Sequence, residues 1–165
     1  VEFFDKHKYF GYQKDKNIKG LYLHGSFGAG KSYLIAALFN ELSKLNVKSI
    51  IVYYPELLRS LKESFNDDFD DRMYKLKTTE LLLIDDIGAE SVSPWSRDEI
   101  LGTILQYRMD AKMPTFFTSN LNKDELISHL AYTKNGVDMV KAKRIIERIN
   151  QLTTDMELIS ENRRK

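Results

Sequence analysis

The sequence predicts an α/β fold, a doubly wound parallel sheet flanked by helices. Three observations carry that reading. Short apolar or β-branched runs alternate with segments whose apolar residues recur at helical spacing, as in successive βαβ units. One run, Leu81-Leu82-Leu83-Ile84, is apolar at four consecutive positions. That suits a strand covered on both faces of a parallel sheet. A glycine-rich stretch beginning at Gly25 joins a strand candidate to a helix candidate.

Taken in order, residues 1–19 are polar and aromatic without a clear period. Gly20-Leu21-Tyr22-Leu23-His24 reads as a buried strand ended by Gly25. Residues 30–45 carry Leu34, Leu38, Leu42 and Leu45 at helical spacing. Ser49 to Tyr53, rich in β-branched residues, is the second strand. Pro55 fits the first turn of the next helix, which presents Leu57, Leu58, Leu61 and Phe65. The acidic stretch Asn66 to Asp71 is expected to break or cap that helical region, with helix resuming near Arg72 to Lys77. After the run at Leu81, a long helix is expected from Pro94 to about Ala111. Its start has two candidate caps, Ser96 with Glu99 in capping-box spacing, or Ser93 before Pro94. Pro114 to Thr118 is the next strand, and Asn122 with Glu125 opens another helix. A helix over about 137–152 and a short strand near 156–159 complete the pattern.

The 165 residues fit one domain. Hydrophobic content of 42% and charged content of 30% are those of an ordinary globular protein. No apolar run approaches the roughly 18 residues that cross a bilayer, so no membrane partner is expected. The absence of cysteine excludes disulfides and thiolate metal sites and suits a reducing, cytoplasmic setting. His7, His24 and His129 have no metal-ligand spacing and read as surface or packing residues. A net charge of +1, from 25 basic and 24 acidic residues, argues against coating duplex DNA by bulk charge. The charge is uneven, however. Lys141, Lys143, Arg144, Arg148, Arg163, Arg164 and Lys165 crowd the C-terminus, and Asp67, Asp68, Asp70 and Asp71 cluster mid-chain.

Gly25-Ser26-Phe27-Gly28-Ala29-Gly30-Lys31-Ser32 matches the Walker A pattern GxxxxGK followed by Ser or Thr in full. The glycines let backbone N–H groups turn inward as an anion nest, and the following helix adds its positive end. Lys31 is then a point charge for the β- and γ-phosphates, and Ser32 a hydroxyl for Mg²⁺. Nucleotide contacts are expected from Gly25 through to Tyr33, with ATP or ADP as the ligand. A magnesium ion needs a carboxylate as well. Asp85 and Asp86 follow the strand at Leu81, in the Walker B pattern. Asp85 is the expected metal ligand and Asp86 the group that orients the attacking water. Asn120, at the end of the fourth strand, falls where doubly wound sheets gather their ligands. From position alone it is equally a water-holding amide or a cap.

These pieces in this order resemble an AAA+ ATPase, and more narrowly the bacterial replicative helicase loaders of the DnaI and DnaC type, nearer the DnaI branch and within the clade of the initiator DnaA. The carrying residues are Gly20 to Gly25 running into the Walker loop, Leu83-Ile84-Asp85-Asp86-Ile87-Gly88, Phe117-Thr118-Ser119-Asn120, and Arg144-Ile145-Ile146-Glu147-Arg148-Ile149. The resemblance covers roughly residues 20–164. It implies that Asn120 is sensor 1 and that Arg148 is an arginine finger reaching the ATP of a neighbouring subunit, with Arg144 one turn away as the alternative. It implies that Arg163 or Arg164 is sensor 2. It implies slow ATP hydrolysis controlling self-association, a hexameric replicative helicase as partner, and single-stranded DNA handling. Tyr54 to Lys77 occupies the position of the clade's DNA-contacting motif and offers Arg59, Lys62, Phe65, Arg72, Tyr74, Lys75 and Lys77. An amphipathic helix packing on the sheet is the equal alternative.

The chain departs from the wider class in two ways. Asp86 stands where most AAA+ enzymes have glutamate, and little chain follows the last strand, so a lid is expected to be minimal or missing. The chain also starts at Val1 and shows nothing like the loaders' N-terminal helicase-binding region, so a C-terminal fragment is expected. A transposition helper ATPase shares the same core pattern and is the alternative function. A module that holds ATP without hydrolysing it is the alternative of another class.

Overall fold

Strands β1 (Gly20–His24), β2 (Ser49–Tyr53), β3 (Leu81–Asp85), β4 (Thr115–Ser119) and β7 (Thr153–Glu157) form one sheet, ordered β2-β3-β4-β1-β7 and parallel throughout. The computed structural model describes residues 18–159. The helices are α1 (Lys31–Ser43), α2 (Tyr54–Glu63), α3 (Asn66–Thr78), a π-helical segment (Trp95–Leu101) running into α4 (Gly102–Asp110), α5 (Lys123–Ala131) and α6 (Met139–Leu152). A two-stranded antiparallel hairpin, β5 (Tyr132–Thr133) and β6 (Gly136–Val137), separates the last two.

The alternation of side chains along β3 builds both cores. Leu82 and Ile84 face a cluster with Tyr22, Phe117, Ile104 and Ile145. Leu81 and Leu83 face the other cluster, with Leu23, Ile35, Phe39 and Phe116. Phe39 meets Phe116 edge-on, 5.1 Å between centroids at 84°. Each such buried side chain is worth roughly 1.5–3 kcal/mol of transfer free energy. With four in succession, β3 is firmly anchored, and Asp85 at its end inherits a fixed position.

Several expectations need correction. The helical region breaks at Ser64 and Phe65, but helix resumes at Asn66 and not near Arg72; the acidic stretch opens α3, where Asp67 and Asp68 in the first turn favour the positive helix end. Ile35, Phe39 and Leu42 make the buried stripe of α1, whereas Leu34 and Leu45 are exposed. The stripe is set by which face meets the sheet, and the leucine spacing alone misassigned it. The helix after Pro94 starts in π geometry, capped by Ser93, whose Oγ accepts from Ser96 N at 3.0 Å. The last helix begins at Met139, because Gly136 and Val137 pair with the hairpin's first strand. The last strand follows α6 directly at Thr153.

Asn122 caps α5 as expected. Its Oδ1 accepts from Glu125 N at 2.8 Å, while Glu125 Oε1 accepts from Asn122 N at 3.1 Å. Asn122→Ala is expected to cost about 1 kcal/mol, read as a shift in urea midpoint with unchanged slope. A midpoint equal to the parent's would show the cap to be idle.

Among the described residues Arg108 is the largest fully buried side chain, and none of their carboxylates pairs with it. Its guanidinium donates to the carbonyls of Leu76 (3.3 Å), Lys77 (3.1 Å) and Thr79 (2.6 Å) at the end of α3. It also donates to the carbonyls of Glu80 and Pro114 and to Thr115 Oγ1 at 2.8 Å. One side chain thus closes the carboxyl end of α3 and pins it to the starts of β3 and β4. Burial pushes its pKa down to about 9, which leaves it charged at neutral pH.

Candidate nucleotide-binding site

The loop between β1 and α1 is shaped by its glycines for two separate reasons. Gly28 and Gly30 sit at φ +80° and +89°, left-handed values that a side chain disfavours. Gly25 answers to space instead: a Cβ there would fall 2.4 Å from the carbonyl oxygen of Leu158. That approach is forced by pairing, since Gly25 N donates to Ser119 O and Leu158 N donates to His24 O. Phe27 and Tyr33 stand exposed at the loop's rim, 68% and 81% accessible.

Lys31 opens α1 but bends back over the loop. Its Nζ donates to Gly25 O at 3.0 Å, Ser26 O at 2.9 Å and Asn120 Oδ1 at 2.9 Å. Burial lowers its pKa, and the nearby Asp86 and Asp85 carboxylates oppose that shift. The structure therefore brings Asn120 to the Walker lysine across 89 residues of sequence.

The acidic pair is organised by Thr118. Its hydroxyl donates to Asp85 Oδ1 and accepts from Asp86 N at 2.9 Å. Ser32 Oγ donates to the same Asp85 oxygen at 2.7 Å. Asp86 turns away from the strand at φ +61°, a sparsely populated conformation for a residue with a side chain. Two bonds fix that turn, the one from its own amide and that of Ile87 N to Thr118 O at 3.0 Å. Asp85 therefore points at Ser32, and Asp86 stands beside it without sharing its bonds.

Tyr53 is a residue that sequence reasoning missed. It ends β2 in register with Asp85, and the Asp86 carboxylate raises the pKa of its phenol. Thr118 was named only as part of a motif. Both acquire their place from strand pairing, and an aromatic or hydroxyl at a strand end gives no separate signal. Gly28, Gly30, Lys31, Ser32, Tyr53, Asp85, Asp86, Thr118 and Asn120 line one crevice of about 260 Å³, with Phe27 and Tyr33 at its edge. A larger cavity of about 770 Å³ lies elsewhere and contains none of these groups.

Arg148 does not line this crevice. It is half-buried on α6, and its Nη1 donates to Gly102 O at 3.2 Å. It shares a shallow groove with Asp98, Lys141 and Arg144. Arg163 and Arg164 lie outside the described residues.

A parallel five-stranded sheet in this order, with a phosphate loop after β1, an acidic pair after β3 and a polar strand end beside them, defines a P-loop nucleotide-binding fold of the AAA+ class. The chain is 49% identical over 148 residues to the replicative helicase loader DnaI of Bacillus subtilis, a match spanning 88% of the chain and 48% of DnaI. It aligns with a crystal structure of DnaI at TM-score 0.79 and 46% identity, covering 99% of the chain and 83% of that structure. The chain belongs to the replicative helicase loader family. No protein-family model matches it. The replication initiator DnaA bound to AMPPCP and single-stranded DNA shares the fold, with TM-score 0.71 at 18% identity over 96% of the chain and 44% of that structure. The chain spans about half the length of the curated relatives it matches. Among the described residues no helix is long and apolar enough to cross a membrane.

Proposed function

We propose that this chain is the ATP-binding and ATP-hydrolysing part of a replicative helicase loader that acts in the initiation of DNA replication. The observation that carries the proposal is the convergence of Lys31, Ser32, Asp85, Asp86, Thr118 and Asn120 on one crevice, in a chain whose relatives are loaders.

The residues divide the work by chemistry. The amides from Gly25 to Tyr33 enclose the triphosphate, and Lys31 exchanges its bonds to loop carbonyls for the β- and γ-phosphates. Ser32 Oγ and Asp85, hard oxygens that already meet at 2.7 Å, fit a magnesium ion and would hold it. Bound there, the ion would neutralise charge that develops on the phosphates. Asp86 orients a water for attack on the γ-phosphoryl, and Asn120 holds that phosphoryl from the side of Lys31. Aspartate is one methylene shorter than the glutamate more usual at this place, which supports slow, switch-like turnover. Thr118→Val removes the anchor shared by both acids. It is expected to lower hydrolysis about 10- to 100-fold while nucleotide affinity stays within about threefold. Turnover equal to the parent's would remove Thr118 from this account.

Arg148 serves a second copy of the chain. Outside its own crevice and bonded to Gly102 O, it reaches a neighbour's ATP and makes hydrolysis depend on assembly. Arg148→Ala is expected to bind ATP normally and lose the cooperative part of its turnover. If assembled turnover survives unchanged, the role passes to Arg144. Arg163 is proposed as the cis contact to the γ-phosphate.

The partner proposed is the hexameric replicative helicase, with ATP governing self-association and helicase release. Single-stranded DNA is proposed for the outer face of α2 and α3, on which Arg59, Lys62, Tyr74 and Lys75 are exposed, with exposed Phe65 between the two helices. Their inner face, Leu57, Leu58, Leu61, Met73 and Leu76, packs into the core. A binding and loading assay with the full-length protein and the helicase tests the whole, comparing ATP with a non-hydrolysable analogue. Helicase retention with the analogue and release with ATP are expected. Identical behaviour with both nucleotides and with none would refute the loader reading.

A further inference from the structure

Asp86 holds a left-handed conformation, φ +61°, that a residue with a side chain keeps only where its surroundings impose it. Asp86 N and Ile87 N tie the near side of that turn to Thr118. The far side is tied differently. Ala89 N closes the turn by donating to Asp86 O at 3.3 Å. The central peptide, joining Ile87 to Gly88, is gripped at both ends. Ser119 Oγ donates to Ile87 O at 2.5 Å, and Gly88 N donates to Glu90 Oε2 at 2.7 Å. Gly88 itself sits at φ +103°, where a Cβ would fall 2.9 Å from Leu121 Cδ1.

Glu90 is the member of this clamp that a turn does not ordinarily require. It is only 6% exposed, and a carboxylate so deep is costly unless it is hydrogen-bonded. One of its oxygens serves Gly88 N, and the other faces His129 Nε2 on α5 at 3.4 Å. An ionised acceptor makes a shorter and stronger bond to an amide than a neutral one does. The carboxylate therefore joins α5 to the peptide that follows Asp86, while standing outside the nucleotide crevice. Without it, Gly88 has no side chain to restrict its backbone. The peptide can then rotate, and Ile87 and Asp86 rotate with it.

We propose that Glu90 is a positioning residue for Asp86. Braced by His129, it fixes the Ile87–Gly88 peptide opposite Ser119, and the fixed peptide aims the Asp86 carboxylate at the place of the attacking water. Glu90 touches neither nucleotide nor water and acts through the turn. The end of β4 thereby serves three neighbours in succession: Thr118 holds the acidic pair, Ser119 this peptide, and Asn120 Lys31. The effect on turnover rests on the hydrolytic reading of Asp86, whereas the clamp itself does not.

The test compares Glu90→Ala, Glu90→Gln and His129→Asn with the parent chain. It reads turnover at saturating ATP, ATP affinity by calorimetry, and the Gly88 and Asp86 amide signals of the nucleotide-free chain by NMR. Glu90→Ala is expected to lower turnover about 10- to 100-fold, with affinity within about threefold of the parent's, and to move both amide signals. Glu90→Gln keeps an oxygen for Gly88 N. It is expected to return the Gly88 signal toward the parent's and turnover to within about fivefold. His129→Asn loosens the brace, so it is expected to move the same two signals and to slow turnover less than Glu90→Ala does. Parental turnover in Glu90→Ala overturns the proposal. So does an equal loss of turnover and affinity, which marks a general distortion of the crevice. A Glu90→Gln chain that regains the Gly88 signal but not turnover overturns it as well. If Glu90→Ala does not fold, His129→Asn decides: moved signals with slower turnover support the brace, and unmoved signals overturn it. A parent chain that binds ATP and hydrolyses none sinks the hydrolytic reading and leaves the amide signals to decide the clamp.

Discussion

Arg108→Ala is expected to lose about 4–5 kcal/mol of stability, the largest effect of any single substitution considered for this chain. Removing the side chain leaves five backbone carbonyls, those of Leu76, Lys77, Thr79, Glu80 and Pro114, without the donor they share. Each buried acceptor left unsatisfied costs about 1–3 kcal/mol before relaxation. A cavity the size of the lost guanidinium and its stem adds to that. Some of the loss is recovered, because the charged group no longer has to be buried. For a chain of this size the melting temperature should fall by roughly 10–20 °C. Arg108→Lys should recover little, because one ammonium cannot span acceptors on three elements. Thermal and urea unfolding of both variants decide the matter. A loss below about 1.5 kcal/mol would mean that water reaches these carbonyls and that the arginine is dispensable.

Lys31→Ala is expected to weaken binding of ATP and ADP by roughly 30- to 150-fold and to bring hydrolysis to background, with folding stability nearly unchanged. The contrast follows from where the ammonium sits. In the folded chain it is buried against Gly25 O, Ser26 O and Asn120 Oδ1, and burial already disfavours its charge, so its loss costs the fold little. Against a triphosphate the same group makes charge-assisted bonds, whose removal is worth about 2–3 kcal/mol and thus roughly 30- to 150-fold in affinity. Calorimetry with magnesium present reads the affinity, and a melting curve of the same preparation excludes misfolding. Parental affinity in a well-folded Lys31→Ala chain would remove the phosphate loop from the proposal, and with it the roles given to Asp85, Asp86, Asn120 and Arg148.

The parts that were legible in the sequence share a physical cause. A strand buried on both faces must be apolar without interruption, which made Leu81 to Ile84 visible. A loop that requires left-handed φ needs glycine, which made Gly28 and Gly30 visible. A helix start must satisfy its own amides locally, which made Asn122 and Glu125 visible. Pro55 fell in the first turn of its helix for the same local reason. The errors arose where local preference was ambiguous. Asn66 to Asp71 disfavours a helix interior but suits a helix start, and only the packing of Met73 and Leu76 fixes which applies. Tyr132 to Val137 is too short a hairpin to leave a periodic signal.

By itself, the sequence determined the α/β class, the order of the strands along the chain, and the positions of the glycine-rich loop and the acidic pair. Each of these depends on residues adjacent in the chain or repeating at a fixed period. Only the tertiary structure decided that Asn120 meets Lys31, that Thr118 ties Asp85 to the backbone of Asp86, and that Tyr53 stands beside them. It alone showed that Arg108 serves five carbonyls and that the buried Glu90 carboxylate faces His129 Nε2 at 3.4 Å beside a cavity. These contacts join residues on separate strands and helices, and their geometry is set by sheet register and helix packing, which no local pattern encodes.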